Sequence, residues 1–388
     1  MTAGVLRRIG LGAAIGSLLT LPVAVEVRVR RARQPLTDAW RTTPIEPRGA
    51  TRLGVSFRPP QIATLGLELE STFEKLVAYP FQLIRLGAYW NRIEPAPGVF
   101  DTHELDWQVE TAAQASKDIV LCVGPLKTFG YPEFFAPSHR LPHALPEHTL
   151  ITSAEYASLL EAASEFATRI VDRYKHHPRI VAWQVEHEAV DPLGMEHSWR
   201  LAENFVASEV AVVRRADPSR PIVMNGYLPV SLPVRLMQGF QTRDQGDSVS
   251  VAQRLADIVG LDYYPRHALA SLGGTTVYLD SSRSPWQSAR RRQLFDWART
   301  DQHRLMITEG QAEPWEAVTT PPNPDGQAMY SCLPEHVIGN YNRWMGWSRA
   351  ASVTLEAYLF WGAEYWMLRQ QSGDPSYLGA FARVLDRA

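Results

Sequence analysis

Residues 179–188 read RIVAWQVEHE, an apolar strand that runs straight into carboxylates. Ile180, Val181, Ala182, Trp183 and Val185 suit a strand buried on both faces. Glu186, His187 and Glu188 arrive together, ahead of a turn-like Asp191-Pro192-Leu193-Gly194. An acidic side chain at the carboxyl end of a buried strand is where α/β barrels keep their reactive groups. A second strand of this kind, RLMITE at 304–309, is followed by GQAEPW. The expectation is that Glu188 and Glu309 face each other across one pocket.

Outward from these two strands, short apolar segments alternate with amphipathic helical ones from residue 51 to the end. Strands are expected at 52–57, 82–86, 118–123, 179–188, 221–224, 257–261, 304–308 and 352–360. Helices are expected between them, at 71–78, 102–116, 154–176, 199–216, 251–256, 286–300 and 335–350. Eight such alternations imply parallel pairing and a closed (β/α)8 TIM barrel over 51–388, with no internal repeat and no second domain.

The totals set further bounds. Hydrophobic residues make up 45% of the 388, ample for a large core. The net charge of −2 argues against a surface built to hold nucleic acid. Cys122 lies in an apolar run and Cys332 in a Pro-rich stretch; a disulfide between them stays open. His139, His143 and His148 match no metal-ligand spacing, so neither metal nor cofactor is expected. No obligate protein partner is evident.

Ahead of the barrel, Arg7 and Arg8 precede an uncharged run from Ile9 to Val25. Arg28, Arg30, Arg31 and Arg33 follow it. The run is about as long as the ~17–25 residues that span a bilayer. A secretory signal fits its length, but no small-x-small site closes it, so an uncleaved anchor over 1–33, with 9–27 in the lipid bilayer, is the preferred reading. Residues 34–50 then read as a linker. Membrane association in the cell envelope or a secreted location follows. Its sidedness stays open, because the arginines after the run would hold the barrel in the cytoplasm.

In a barrel, the residues at the carboxyl ends of the strands share one pocket. Here they include Phe57, Arg58, Arg85, Trp90, Lys127, His187, Glu188, Asn225, Tyr227, Tyr263, Tyr264, Glu309 and Trp361. Two carboxyl groups between aromatic walls is what hydrolysis of a glycosidic bond requires. On strand alternation Glu186 shares a face with Glu188, and it is read as a structural carboxylate.

These motifs resemble clan A glycoside hydrolases, the retaining (β/α)8 enzymes that include cellulase family 5 and the family 35 and 42 β-galactosidases. The fourth-strand motif of that clan leads from a Trp into Asn-Glu, matched here by residues 183–188. Its seventh-strand motif is matched by Ile307-Thr308-Glu309 and its second-strand Arg by Arg85. Residues 90–101, WNRIEPAPGVFD, resemble its W-x-x-I-E-P-x-P-G-x-F-D run. The resemblance implies Glu188 as acid/base and Glu309 as nucleophile. It further implies Arg85, Trp90, His187, Tyr263 or Tyr264, and Trp361 around the carbohydrate substrate, and Lys127 is expected to join them from its place after the third strand. The implied activity is double-displacement hydrolysis of a β-linked glycoside or polysaccharide. A transglycosidase remodelling envelope polysaccharide uses the same residues. A catalytically inactive glycan-binding barrel is the third reading, favoured by one departure: His187 stands where the clan has Asn.

Overall fold

Eight segments pair in parallel and in chain order, and the last closes on the first. They are β1 (Arg52–Ser56), β2 (Leu83–Gly87), β3 (Asp118–Cys122), β4 (Ile180–Gln184), β5 (Ile222–Tyr227), β6 (Ile258–Tyr263), β7 (Arg304–Gln311) and β8 (Ala357–Trp361). The computed structural model describes residues 27–191, 198–228, 247–272, 274–282, 284–300, 302–314 and 326–388. The (β/α)8 barrel expected from the alternation is therefore present, each strand within a few residues of its expected place.

The barrel interior has two layers, because residues two apart on a strand share a face. Leu83, Val120, Ala182, Val223, Ile258, Met306, Ala357 and Leu359 form a dry lower layer. Two or four residues further along the same strands come Arg85, Gln184, Asn225, Asp262 and Trp361, at the carboxyl end. Gly54 is needed in the lower layer: a Cβ there would stand 1.8 Å from the Leu83 carbonyl oxygen.

The opposite faces of the strands carry the second core. Val55, Ile84, Leu86, Ile119, Leu121, Trp183, Leu261 and Ile307 pack under the helices that follow each strand. Helix Ala157–Tyr174 shows how the sequence arranges this: Leu159, Ala163, Phe166, Ala167, Ile170 and Tyr174 recur on one buried stripe. The helix expected at 251–256 starts earlier, at Ser248, because the Asp247 side chain accepts the Ser250 amide at 2.7 Å and caps it. Cys122 and Cys332 are both buried and are not joined in a disulfide, which closes that question.

Outside the barrel, Arg266–Leu272 and Thr275–Asp280 form an antiparallel hairpin that the alternation did not reveal. Val27–Arg31 adds a third strand to its edge, pairing Val27 with Leu279 and Arg31 with Thr275. The expected anchor segment thus meets the structure only at its end, where 27–31 is strand; residues 1–26 lie outside the described residues. Among the described residues no helix is long and apolar enough to cross a membrane.

The stretch 34–50 is not a free linker. Arg33–Pro35 pairs with Gln327–Met329, and Trp40 is buried against Gly379, where a Cβ would stand 2.6 Å from the indole ring. The Arg383 guanidinium donates to the carbonyls of Trp40 and Thr43. The turn at 321–325, the sequence after Asp191 and most of the 228–250 connection fall outside the described residues.

Candidate active site

Arg85 is the hub. It has no solvent exposure, and its guanidinium reaches four neighbours, Ser56 Oγ at 3.4 Å among them. Nη1 donates to Glu309 Oε1 at 2.7 Å, Nε donates to Gln184 Oε1 at 2.6 Å, and Nη2 lies 3.4 Å from His187 Nδ1. The Phe129 ring covers its face, 3.8 Å from Cζ to the centroid. The second carboxyl oxygen of Glu309 accepts the hydroxyl of Tyr264.

Glu309 owes its place to an irregularity. Between β6 and β7 the register shifts at Leu261/Asp262, so that Asp262 lies opposite Glu309. Consecutive residues Thr308 and Glu309 therefore both turn toward the barrel axis: Thr308 Oγ1 donates to Asp262 Oδ1 at 2.7 Å while Glu309 meets Arg85. Burial leaves the Glu309 carboxyl raised above its ordinary range, with Arg85, Tyr264 and Arg58 offsetting part of that rise.

Glu188 sits past the end of β4, where the backbone turns sharply. Glu186 has φ of 56° and Glu188 of 44°, both left-handed conformations that L residues adopt at a cost. That turn separates the two glutamates that strand alternation would place on one face. Glu186 swings outward. Its carboxylate accepts the amides of Leu126 at 3.1 Å and Lys127 at 2.5 Å and meets buried Glu209 from the flanking helix. Glu188 instead lies on the side of Asp262, whose charge acts on it. Burial, then Asp262, Asp191, Glu133 and Glu309, all push the Glu188 carboxyl well above the usual range.

His187 lies between them. Asn225 Nδ2 stands 2.9 Å from its Nδ1. The orientation of that amide is fixed from a distance. Arg85 Nε can only donate, so Gln184 Oε1 faces it; Gln184 Nε2 then donates to Asn225 Oδ1 at 3.0 Å, leaving Asn225 Nδ2 to donate to His187 Nδ1 and to Asp262 Oδ2 at 2.5 Å. His187 therefore carries its proton on Nε2. Burial and the charges of Arg85 and Lys127 hold the imidazole neutral, well below its ordinary titration range.

Not every expected substrate contact lies in the pocket. Trp90 is fully buried, packs on Phe166 with centroids 5.5 Å apart, and donates its indole N–H to Glu94 at 2.8 Å. It locks the loop after β2 instead of lining the site. Lys127 is equally buried: Nζ donates to the carbonyls of Glu188 at 2.8 Å and Asp191 at 3.0 Å, bracing the turn that carries Glu188. Of the two tyrosines, Tyr263 packs edge-on against Trp344 in the core, 5.5 Å between centroids. Tyr264 faces the pocket and meets Trp361 edge-on at 6.4 Å.

Trp361 is held from behind: the Arg58 guanidinium lies 4.1 Å from its ring centroid and is clamped by Glu313, with both nitrogens at 2.9 Å, and by Glu364. Gln184, Asp262, Glu313 and Glu364 are site residues the sequence reading missed. The strand-end rule that picked Tyr263 and Tyr264 applies equally to Asp262, one residue earlier.

A ring nitrogen of His187 and carboxylate oxygens of Asp262 and Glu309 lie within 4.8 Å of one another. As a cation site the triad fits poorly. Arg85 and Asn225 already donate to these three groups, and a divalent ion at their centre would face the guanidinium.

A family model described as β-galactosidase, of glycoside hydrolase family 42, matches residues 67–205. No curated protein matches the chain. Among solved structures, a GH5_18 protein from Streptomyces cattleya in complex with GlcNAc aligns at 14% identity and TM-score 0.50, covering 80% of this chain and 70% of that one. Native xylanase 10B from Thermotoga maritima aligns at 13% identity and TM-score 0.50, covering 88% and 98%. A β-galactosidase from the Antarctic haloarchaeon Halorubrum lacusprofundi aligns at 15% identity and TM-score 0.49; this chain covers 58% of it, less than two thirds of its length, with 87% of its own residues.

Proposed function

We propose that this chain, whose closed barrel and family match fit the clan A (β/α)8 glycoside hydrolases, hydrolyses β-linked O-glycosides by double displacement. The observation that carries the reading is the unequal treatment of two buried carboxyls: burial raises both, but Glu309 is held by a cation and a hydroxyl. Every charged neighbour named for Glu188 pushes its carboxyl up, whereas Arg85 and Tyr264 each donate to one oxygen of Glu309. Environments that push two carboxyls apart divide the labour between acid and nucleophile.

In this reading an oxygen of Glu309 forms a bond to the anomeric carbon while the bond to the leaving oxygen breaks, and Glu188 delivers its proton to that oxygen. Ionised Glu188 then takes a proton from water, which displaces Glu309 from the sugar and restores both groups. His187 offers Nε2–H to a sugar hydroxyl, the contact the clan makes with Asn. Trp361 and Tyr264 supply aromatic edges and faces.

The experiment is mechanism-based labelling with 2-deoxy-2-fluoro glycosides of galactose, glucose, mannose and xylose, followed by peptide mass spectrometry. Label on Glu309 is expected. Hydrolysis of nitrophenyl glycosides without any covalent label, or label on another residue, overturns the assignment. An inert protein that still binds glycans supports the binding-barrel reading instead. We place the barrel at a membrane through the run from Ile9 to Val25. Deleting residues 1–26 is expected to release it to the soluble fraction, and unchanged partition overturns that placement.

A further inference from the structure

The loop after β3 carries a carboxyl group that nothing assigned so far uses. Lys127 and Phe134 pair as an isolated bridge, and the Phe135 amide donates to the Leu126 carbonyl at 2.9 Å, so residues 127–134 form a closed loop. Its tip approaches the pocket. A Cβ built on Gly130 would lie 3.5 Å from the Arg58 side chain, which backs Trp361.

Glu133 stands where that loop returns to its closure, one residue before Phe134, with two costs attached. Its φ is 81°, in the left-handed region that a glutamate adopts only under constraint. Its Oε2 is shut off from solvent and hydrogen-bonds no described residue. Lys127, the nearby cation, spends its ammonium on the carbonyls of Glu188 and Asp191. Neither cost stabilises the fold; both suit a carboxyl held in place to meet a ligand.

From these placements we propose that Glu133 is a sugar-binding residue, its carboxyl hydrogen-bonding a free hydroxyl of the pyranose held between Glu188 and Glu309. The inference rests on the glycosidase reading and names a contact within it. The carboxyl lies within the electrostatic reach of both catalytic candidates, of Asp191 and of Tyr131. Burial and the charges of Glu309 and Asp191 push it up to about 8, against the opposing pull of Lys127. At neutral pH it is therefore an acid that both donates and accepts, matching a hydroxyl's own capacity.

The test compares Glu133→Leu and Glu133→Gln with the parent protein on the nitrophenyl glycoside that the parent cleaves best. Glu133→Leu is expected to melt at or above the parent temperature, because an orphaned oxygen is removed, and to lose tenfold or more in kcat/KM. Glu133→Gln is expected to keep most activity at pH 7, and its KM is expected to stay level through pH 8, where the parent's rises. A Glu133→Leu protein with parental kcat/KM overturns the proposal, and so does one that melts well below the parent, which marks a structural role. Should Glu133→Leu not fold, the KM course of Glu133→Gln decides: a rise matching the parent's overturns the proposal. A parent protein inert on every glycoside removes the glycosidase reading and this inference together, whereas an active parent with indifferent variants removes this inference alone.

Discussion

Asn225 donates to Nδ1 of His187 at 2.9 Å, and that contact dictates which imidazole nitrogen is left with the proton. The instruction originates at Arg85 and passes through the Gln184 amide, so a strand-two arginine sets the tautomer of a residue beyond strand four. Asn225→Asp reverses the last step, offering an acceptor to Nδ1. The imidazole is expected to move its proton to Nδ1 and to titrate at higher pH, visible in the ring-nitrogen shifts by NMR. Loss of one buried hydrogen bond at this point is expected to lower kcat/KM by roughly ten- to a hundredfold. Unchanged ring shifts would show that Asn225 is not the residue in control.

Arg85 also pulls the Glu309 carboxyl down against burial. Arg85→Met removes that pull, so the Glu309 pKa rises. If the ionised form is the nucleophile, the acid limb of kcat/KM moves to higher pH by a unit or more, each unit being about 1.36 kcal/mol. The variant also leaves Glu309 without its cation, at a cost of roughly 3–5 kcal/mol by the usual penalty for breaking a buried pair. A pH–rate profile and a denaturant titration check the two effects separately.

On the proposed mechanism, Glu188→Ala removes the proton donor but leaves the nucleophile, Glu309, gripped by Arg85 and Tyr264. Dinitrophenyl glycosides, whose leaving group needs no proton, are expected to be spared relative to alkyl glycosides. Added azide is expected to accelerate breakdown of the glycosyl-enzyme and yield a glycosyl azide of retained configuration. Equal losses on both substrates, with no azide product, would reassign Glu188.

Glu209 and Glu186 bury two carboxyls side by side, and burial with the Glu186 charge pushes Glu209 well up. A carboxyl whose folded pKa exceeds its unfolded value contributes stability at low pH that is lost as pH rises toward the folded value. The parent is therefore expected to lose up to about 1.4 kcal/mol per pH unit from this group, beginning near the unfolded carboxyl pKa of about 4.5. Glu209→Gln puts beside Glu186 an amide that never ionises. Its melting temperature is expected to fall less than the parent's between pH 5 and 8. Parallel curves would show that the pair carries no such proton.

The barrel was legible because its strands are continuous apolar runs separated by striped helices, and because Glu188 and Glu309 close two of them. What stayed hidden depends on backbone direction. Glu186 and Glu188 look equivalent by alternation, yet the chain leaves strand geometry at Gln184 and two positive φ values send them to opposite sides. Trp90 belongs to a motif that suggests sugar contact. The structure gives its four-residue spacing to Glu94 another meaning: an indole–carboxylate lock that also gathers Arg140 at 2.6 Å and His139 at 3.0 Å. Lys127 is a charged loop residue whose burial under Glu188 no local pattern announces. The hairpin 266–280 escaped notice because its strands, one of them half polar, belong to no βα repeat.

That hairpin has a practical bearing on how the protein is handled. Its edge strand is Val27–Arg31, and its root is bolted to the mouth of the candidate site: His267 lies 2.7 Å from the Tyr264 carbonyl and 3.1 Å from the Tyr227 hydroxyl, and Leu279 packs against both tyrosines. A truncation meant to shed the apolar N-terminal run must therefore stop at residue 26. Cutting at 34 would strip the outermost strand, bare the amides of Thr275–Asp280 as a sticky selvedge, and loosen the residues that hold the Tyr264 hydroxyl on Glu309.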